Sequence, residues 1–318
     1  MRALILEAGG QVRYAAEHAG RDPRPSEIPI RVLRAGVCET DLQLARGYMG
    51  FQGILGHEFV GIAESGKFAG RRVAGEINCS CHRCDLCRQG LSNHCPNRSV
   101  IGILDHDGAF ADRVFVPERN LHLIPDSVSD DEAVFIEPLA AAFQIPAQLD
   151  LKPVRSAVVL GDGRLGNLCA QVLHRAGCRV TAVGKHEWKL QRLAEAGVDT
   201  CLLDALPIKR EADLVVDCTG SSGGVETALR LLRPRGTLVL KTTTAAPHGP
   251  NLAAVVIDEI TVVGSRCGPF DKAIEALADR DIDVRPLITA RFPLEEGEEA
   301  MRAAARPENL KVLLKVSN

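Results

Sequence analysis

The sequence predicts an α/β protein of two domains, one mostly β and one a doubly wound parallel sheet. Three observations carry that prediction. Up to about residue 138, short β-like runs at 2–6, 30–35, 59–63 and 113–116 alternate with Gly, Pro and Asn, the texture of an irregular β domain. Beyond it, apolar strands alternate with helical patterns, which is the signature of βαβ units. The length of 318 residues suggests two domains, or one large one.

The elements of the second domain follow in order. Residues 157–160 read as a short buried strand, and 164–176 as a helix whose apolar spacing runs through Leu165, Leu168, Cys169, Val172 and Leu173. A second strand at 179–183 leads to a helix at 187–196 that stops at Gly197. Strands at 200–203, 214–217, 237–240 and 260–264 complete the series, with a helix at 224–232 before the last two. Residues 270–318 carry one or two helices and a strand at 311–316, and this tail is expected to return to the first domain. The expected domains are therefore 1–138 together with 268–318, and 139–267.

Composition narrows the function classes. Hydrophobic residues make up 46% and charged residues 25%, which excludes global disorder. With 38 basic and 41 acidic residues, no electrostatic footprint for nucleic acid or an anionic membrane is present. No apolar run reaches the ~18 residues of a membrane span, and no signal-peptide layout follows Met1, so a cytoplasmic location is expected. Cysteine is the unusual component. There are eleven, and Cys79, Cys81, Cys84, Cys87 and Cys95 fall within 17 residues, which points to metal rather than disulfides.

Gly161-Asp162-Gly163-Arg164-Leu165-Gly166 matches G-x-G-x-x-G between a predicted strand and a predicted helix, the context that makes the motif informative. Gly161 makes the tight turn, Gly163 lets the backbone approach a pyrophosphate, and Gly166 lets helix pack on strand. At the end of the second strand, where Asp or Glu would bind the ribose hydroxyls of NAD, stand Gly184, Lys185 and His186, with Lys189 a turn later. A missing carboxylate and added cations favour the 2′-phosphate of NADP over NAD. Thr219 and Gly220, and residues 241–244 including Thr242, follow later strands on the carboxyl edge, where the nicotinamide half is expected.

Cys81-x2-Cys84-x2-Cys87-x7-Cys95 can wrap one tetrahedral ion as a closed, structural four-thiolate site, in a lobe at 79–97 whose Cys79 is out of register. A second, dispersed set comprises Cys38, Glu39, Thr40 and Asp41, then Gly56, His57 and Glu58, then Glu137 and Pro138. Cys, His and a carboxylate are what a catalytic zinc with an open position requires.

Taken in order, Cys-x-Thr-Asp, Gly-His-Glu, the four-cysteine lobe, Glu-Pro-Leu and the later glycine motif resemble the zinc-dependent medium-chain dehydrogenase/reductase superfamily, which includes alcohol, sorbitol and threonine dehydrogenases. The resemblance covers nearly the whole chain. It implies a GroES-like catalytic domain flanking a Rossmann domain, an active site between them, two zinc ions per chain, a small alcohol or carbonyl substrate, and a homodimer or homotetramer. By the same resemblance, Cys38 and His57 are catalytic-zinc ligands and Glu137 matches the third. Glu58 is the alternative third ligand, replacing or exchanging with Glu137. Thr40 passes the substrate proton, and Asp41 holds the His57 imidazole.

Three departures stand out. Glu39 replaces the small residue or Arg common at its position, Gln43 replaces a His that would end the proton relay, and the chain is short for the family. Tyr48, Met49, Phe51 and Phe110 are expected in the substrate pocket, and Trp188 in packing. The expected reaction moves a hydride between an alcohol, polyol or carbonyl compound and NAD(P). Two other readings remain open at this level: a zinc-independent enone or quinone reductase of the same fold, and a non-enzymatic zinc-stabilised nucleotide-binding protein.

Overall fold

A computed structural model describes residues 1–242 and 251–317. Contacts divide the chain into two units. The first comprises Met1–Glu137, Leu277–Asp279 and Val284–Asn318; the second comprises Pro138–Ala276 and Arg280–Asp283. The chain thus leaves the second unit later than residue 268, because the helix Phe270–Ala278 has most of its length in that unit.

In the first unit, Glu27–Gly36 is the central strand of a seven-stranded sheet. Its Gly36 pairs with Glu58 of the antiparallel strand Glu58–Ala63, and on its other side with Leu313 of Lys311–Lys315. The last strand of the chain is therefore built into the sheet that carries Glu58. Arg72–Gly75 and Leu121–Leu123 extend one edge, Ile288–Pro293 the other, and Arg113–Pro117 pairs with the first half of the central strand. A separate three-stranded sheet joins Val12–Ala15, Ala3–Leu6 and Gly53–Ile54. His57 thus lies in the short step from one sheet to the other. That step turns at Gly56 with φ of +97°, and a Cβ there would lie 2.2 Å from the Phe110 ring, so only glycine fits.

The second unit is a six-stranded, all-parallel sheet. Its strands are β1 (Ser156–Leu160), β2 (Arg179–Gly184), β3 (Asp199–Leu202), β4 (Ala212–Asp217), β5 (Leu232–Leu240) and β6 (Thr261–Gly264). They lie in the order β3-β2-β1-β4-β5-β6, so the winding reverses between β1 and β4. In such a sheet, ligands bind beyond the carboxyl ends of the strands at that reversal. Of its predicted apolar stripe, helix α1 (Arg164–Arg175) buries Leu168, Cys169, Val172 and Leu173, with Leu165 half-buried; α2 (Glu187–Glu195) buries Leu190 and Leu193. Predicted and observed boundaries in this unit differ by at most two residues, except at β5. That strand begins at Leu232, five residues before the predicted 237, because Leu232 still pairs with Ala212.

No helix among the described residues is long and apolar enough to cross a membrane. None of the eleven cysteines forms a disulfide.

The glycine motif folds as a strand-to-helix turn in which Gly161 has φ of +114° and Gly163 starts α1 as its N-cap. A Cβ on Gly166 would lie 1.9 Å from the Gly161 carbonyl oxygen. Gly166→Ala is therefore expected to lower stability by about 1–3 kcal/mol, since neither backbone can yield without moving helix or strand. Thermal unfolding of the variant beside the parent checks this; an unchanged melting temperature would contradict it.

Candidate active site

Cys38 caps the helix Glu39–Ala45, and Asp41 at its third position completes a capping box. Asp41 is fully buried. Its Oδ2 accepts the Cys38 backbone N–H at 2.8 Å, while its Oδ1 lies 3.4 Å from Nδ1 of buried His57. One carboxylate thereby orients both residues. With Nδ1 facing Asp41, the other ring nitrogen, Nε2, is the one available as a ligand.

Cys38, His57 and Glu58 each offer a ligand atom, and these atoms lie within 4.8 Å of one another. A soft thiolate, an imidazole and a carboxylate are an established donor set for zinc with an open position. Asp41 Oδ1 and His57 Nδ1 face each other at 3.4 Å, just outside hydrogen-bond geometry, and neither atom has another partner among the described residues. Glu137, in the first turn of the helix Ile136–Gln148, is half-buried and outside the gathered set. Of the two carboxylates the sequence offered, the fold brings Glu58 to the thiol and the imidazole.

Glu58 has another partner, which sequence reasoning missed. Its Oε2 is in close contact with Nζ of Lys311, and both side chains are buried. Lys311 also stands 5.4 Å from the Phe135 ring centroid. Burial draws its pKa down to about 8, while the nearby Cys38 and Asp41 charges oppose that fall. The pairing joins residues 253 positions apart in sequence. No local pattern in the last strand pointed to it, since Lys311, Val312, Leu313 and Leu314 are all buried in succession.

Thr40 lies beside the set, its Oγ1 3.8 Å from Cys38 Sγ. Gln43 Nε2 donates to Glu39 Oε1 at 2.7 Å, so the two unusual residues of this helix satisfy each other one turn apart. Of the four expected pocket residues, Tyr48 and Met49 are about half exposed, Phe51 is half-buried, and Phe110 is fully buried beneath Gly56. Phe110 is thus core, supporting the turn that presents His57, rather than a pocket wall.

The cysteine lobe brings Cys81, Cys84, Cys87 and Cys95 into a second group. Cys95 Sγ lies 3.5 Å from Cys81 Sγ and 3.8 Å from Cys84 Sγ. A tetrahedron with Zn–S of 2.3 Å has edges of about 3.8 Å, so these thiols stand at the spacing a zinc ion requires. The backbone N–H of Arg83, followed by that of Cys84 and the Cys95 and Asn97 side chains, brings the Cys81 thiol down to about 6, favouring the ligating thiolate. Cys79 is outside the group, and burial pushes its thiol up to about 12.

In the second unit, Thr219, Gly220 and Thr242 form one cluster beyond β4 and β5. Gly220 N–H donates to Thr242 Oγ1 at 3.0 Å, and Thr219 Oγ1 to Asp217 Oδ1 at 2.8 Å. Thr243 and Thr244 lie outside the described residues. Past β2, Lys185 is exposed, but Lys189 is buried, its Nζ 5.4 Å from the Trp188 ring centroid. His186 Nδ1 is held at 2.9 Å by Asp162 Oδ2. Trp188 itself is 37% exposed.

Comparison with known proteins places this geometry among relatives. Residues 24–126 match the family model of the alcohol dehydrogenase GroES-like domain, and residues 165–280 that of zinc-binding dehydrogenase. A sorbitol dehydrogenase of Halalkalibacterium halodurans is 29% identical over 341 residues, covering 99% of each chain. A zinc-binding dehydrogenase from Sinorhizobium meliloti bound to NADP superposes with a TM-score of 0.89 at 27% identity, covering 99% of both chains. An alcohol dehydrogenase from Escherichia coli complexed with NADH, described as short-chain, gives 0.90 at 25% identity and the same coverage.

Removing the Lys311 ammonium isolates its contribution. In metal-free protein, Lys311→Met is expected to cost about 3–5 kcal/mol in denaturant unfolding, because Glu58 is left charged and unpaired in the core. The double variant Glu58→Gln/Lys311→Met is expected to recover part of that loss. Equal destabilisation in both would show that the pair contributes nothing through charge.

Proposed function

The chain belongs to the zinc-dependent medium-chain dehydrogenase superfamily, and on that premise we propose that it moves a hydride between an alcohol or polyol and a nicotinamide dinucleotide. The observation that carries this reading is the convergence of Cys38, His57 and Glu58 beside Thr40. A zinc-independent enone reductase has no use for such a set.

Cys38, His57 and Glu58 would hold a zinc ion, which would supply Lewis-acid polarisation of the substrate oxygen. The rest of the chemistry falls to the chain. The Thr40 hydroxyl accepts the alcohol proton and passes it outward. Gln43 does not titrate near neutral pH, so the proton leaves through water. Asp41 keeps Cys38 and His57 in their ligating orientations. The glycine turn at Gly161, Gly163 and Gly166, with Arg164 and Leu165 opening α1, cradles the dinucleotide pyrophosphate. Thr219, Gly220 and Thr242 line the nicotinamide half. A nicotinamide dinucleotide bound there would supply the hydride acceptor for alcohol oxidation, or the donor in reverse.

A polyol substrate is supported by the carboxylate in the ligand set, by its resemblance to the polyol branch, and by the sorbitol dehydrogenase relative. The second zinc, at Cys81, Cys84, Cys87 and Cys95, is structural. A homo-oligomer is supported by β6, the edge strand of its sheet among the described residues, which carries exposed Val262, and by exposed Leu252, Val256 and Ile257 shortly before it in the chain.

Two zinc ions per chain are expected by elemental analysis. Cys38→Ser should lose one of them and all turnover on a panel of alcohols, polyols and aldehydes, while still binding dinucleotide. Cys95→Ser should lose the other, with a fall in melting temperature. Full activity in Cys38→Ser would end the catalytic assignment. For assembly, Val256→Lys/Val262→Lys is expected to reduce the mass seen by light scattering to that of one chain; an unchanged mass would place the interface elsewhere.

A further inference from the structure

The end of β2 lacks the carboxylate that usually recognises a cofactor ribose, and the fold puts another in its place. Asp162, the second residue of the glycine turn, folds across Gly184. A Cβ built on Gly184 would lie 2.4 Å from Asp162 Cβ, 2.6 Å from its Cγ and 2.5 Å from its Oδ2. The Asp162 side chain therefore fills the space into which a side chain at position 184 would project. A glycine at the strand end and an aspartate in the turn are sterically complementary.

The carboxylate is held firmly. Oδ2 accepts the backbone N–H groups of Lys185 at 2.7 Å and His186 at 2.8 Å, and sits 2.9 Å from His186 Nδ1. Its side chain is only 12% exposed. Its other oxygen, Oδ1, accepts no hydrogen bond among the described residues and remains for a ligand hydroxyl. The cations that the sequence offered to a 2′-phosphate are mostly committed elsewhere. His186 is engaged by Asp162, and Lys189 is buried against Trp188. Lys185 alone presents an exposed charge, next to a fixed anion.

We propose that Asp162 is the residue that selects the cofactor, accepting a hydrogen bond from the adenosine ribose of NAD(H) and repelling the 2′-phosphate of NADP(H). This reverses the NADP preference expected from the sequence. It rests on the dinucleotide-binding reading above. The physical ground is charge: a buried carboxylate is a strong acceptor for hydroxyls and an unfavourable neighbour for a phosphate dianion.

The test is a titration of the zinc-loaded protein with NADH and with NADPH, followed by nicotinamide fluorescence. The wild type is expected to bind NADH at least about tenfold more tightly than NADPH, the size of a hydrogen bond to a charged group. Asp162→Asn keeps the shape and removes the charge. It should weaken NADH, strengthen NADPH, and bring the ratio towards one. Asp162→Gly/Gly184→Asp returns the carboxylate to the strand end and should restore NADH preference, which separates recognition from loss of loop structure. A wild type that prefers NADPH, or an Asp162→Asn variant that weakens both dinucleotides equally, would overturn the role of Asp162. Failure of the wild type to bind either dinucleotide would instead overturn the dehydrogenase reading and this inference with it.

Discussion

The buried carboxylate of Asp41 organises the candidate metal site. It has no solvent exposure, and each of its oxygens faces a different candidate ligand residue, the Cys38 backbone on one side and the His57 ring on the other. Burying a carboxylate is costly unless its partners are held in place. Here the partners come from two separate pieces of chain: the start of a short helix and the turn between two sheets. The helix cap and the metal-ligand geometry are therefore one arrangement, and disturbing either disturbs the other.

Glu58 and Lys311 extend this constraint across the sheet. Glu58 begins the strand that follows His57, opposite Gly36 on the central strand, and Lys311 begins the last strand on the central strand's other side. A Cβ on Gly36 would lie 2.8 Å from both the Glu58 Oε2 and the Lys311 Cε, so the glycine leaves the gap through which the two side chains meet. The ion pair ties the end of the chain to the candidate metal site. This gives the interrupted arrangement of the first unit a physical purpose, since the last strand delivers the cation that balances a candidate ligand.

The two metal groups differ in how much of them could be read in advance. The four thiols of the lobe are close in sequence, so their spacing alone placed them around one ion, and the fold gathers the same four. The dispersed group was found through its order along the chain, which left Glu58 and Glu137 as alternatives. Glu137 opens a helix, whereas Glu58 directly follows His57 on a strand, and the gathered set contains Glu58. Phe110 was placed in the pocket from its position near the motifs, but position along the chain carries no information about which face a side chain takes.

By itself the sequence determined the parallel sheet, its strand and helix order, the glycine turn and the four-thiol lobe. These depend on local periodicity and short spacings, which survive in one dimension. Only the tertiary structure decided which carboxylate joins Cys38 and His57, that Lys311 is buried against it, and that Asp162 occupies the space above Gly184. Each of these is a contact between residues roughly 20 to 250 positions apart, where charge balance and steric complementarity act across the fold and leave no local pattern behind.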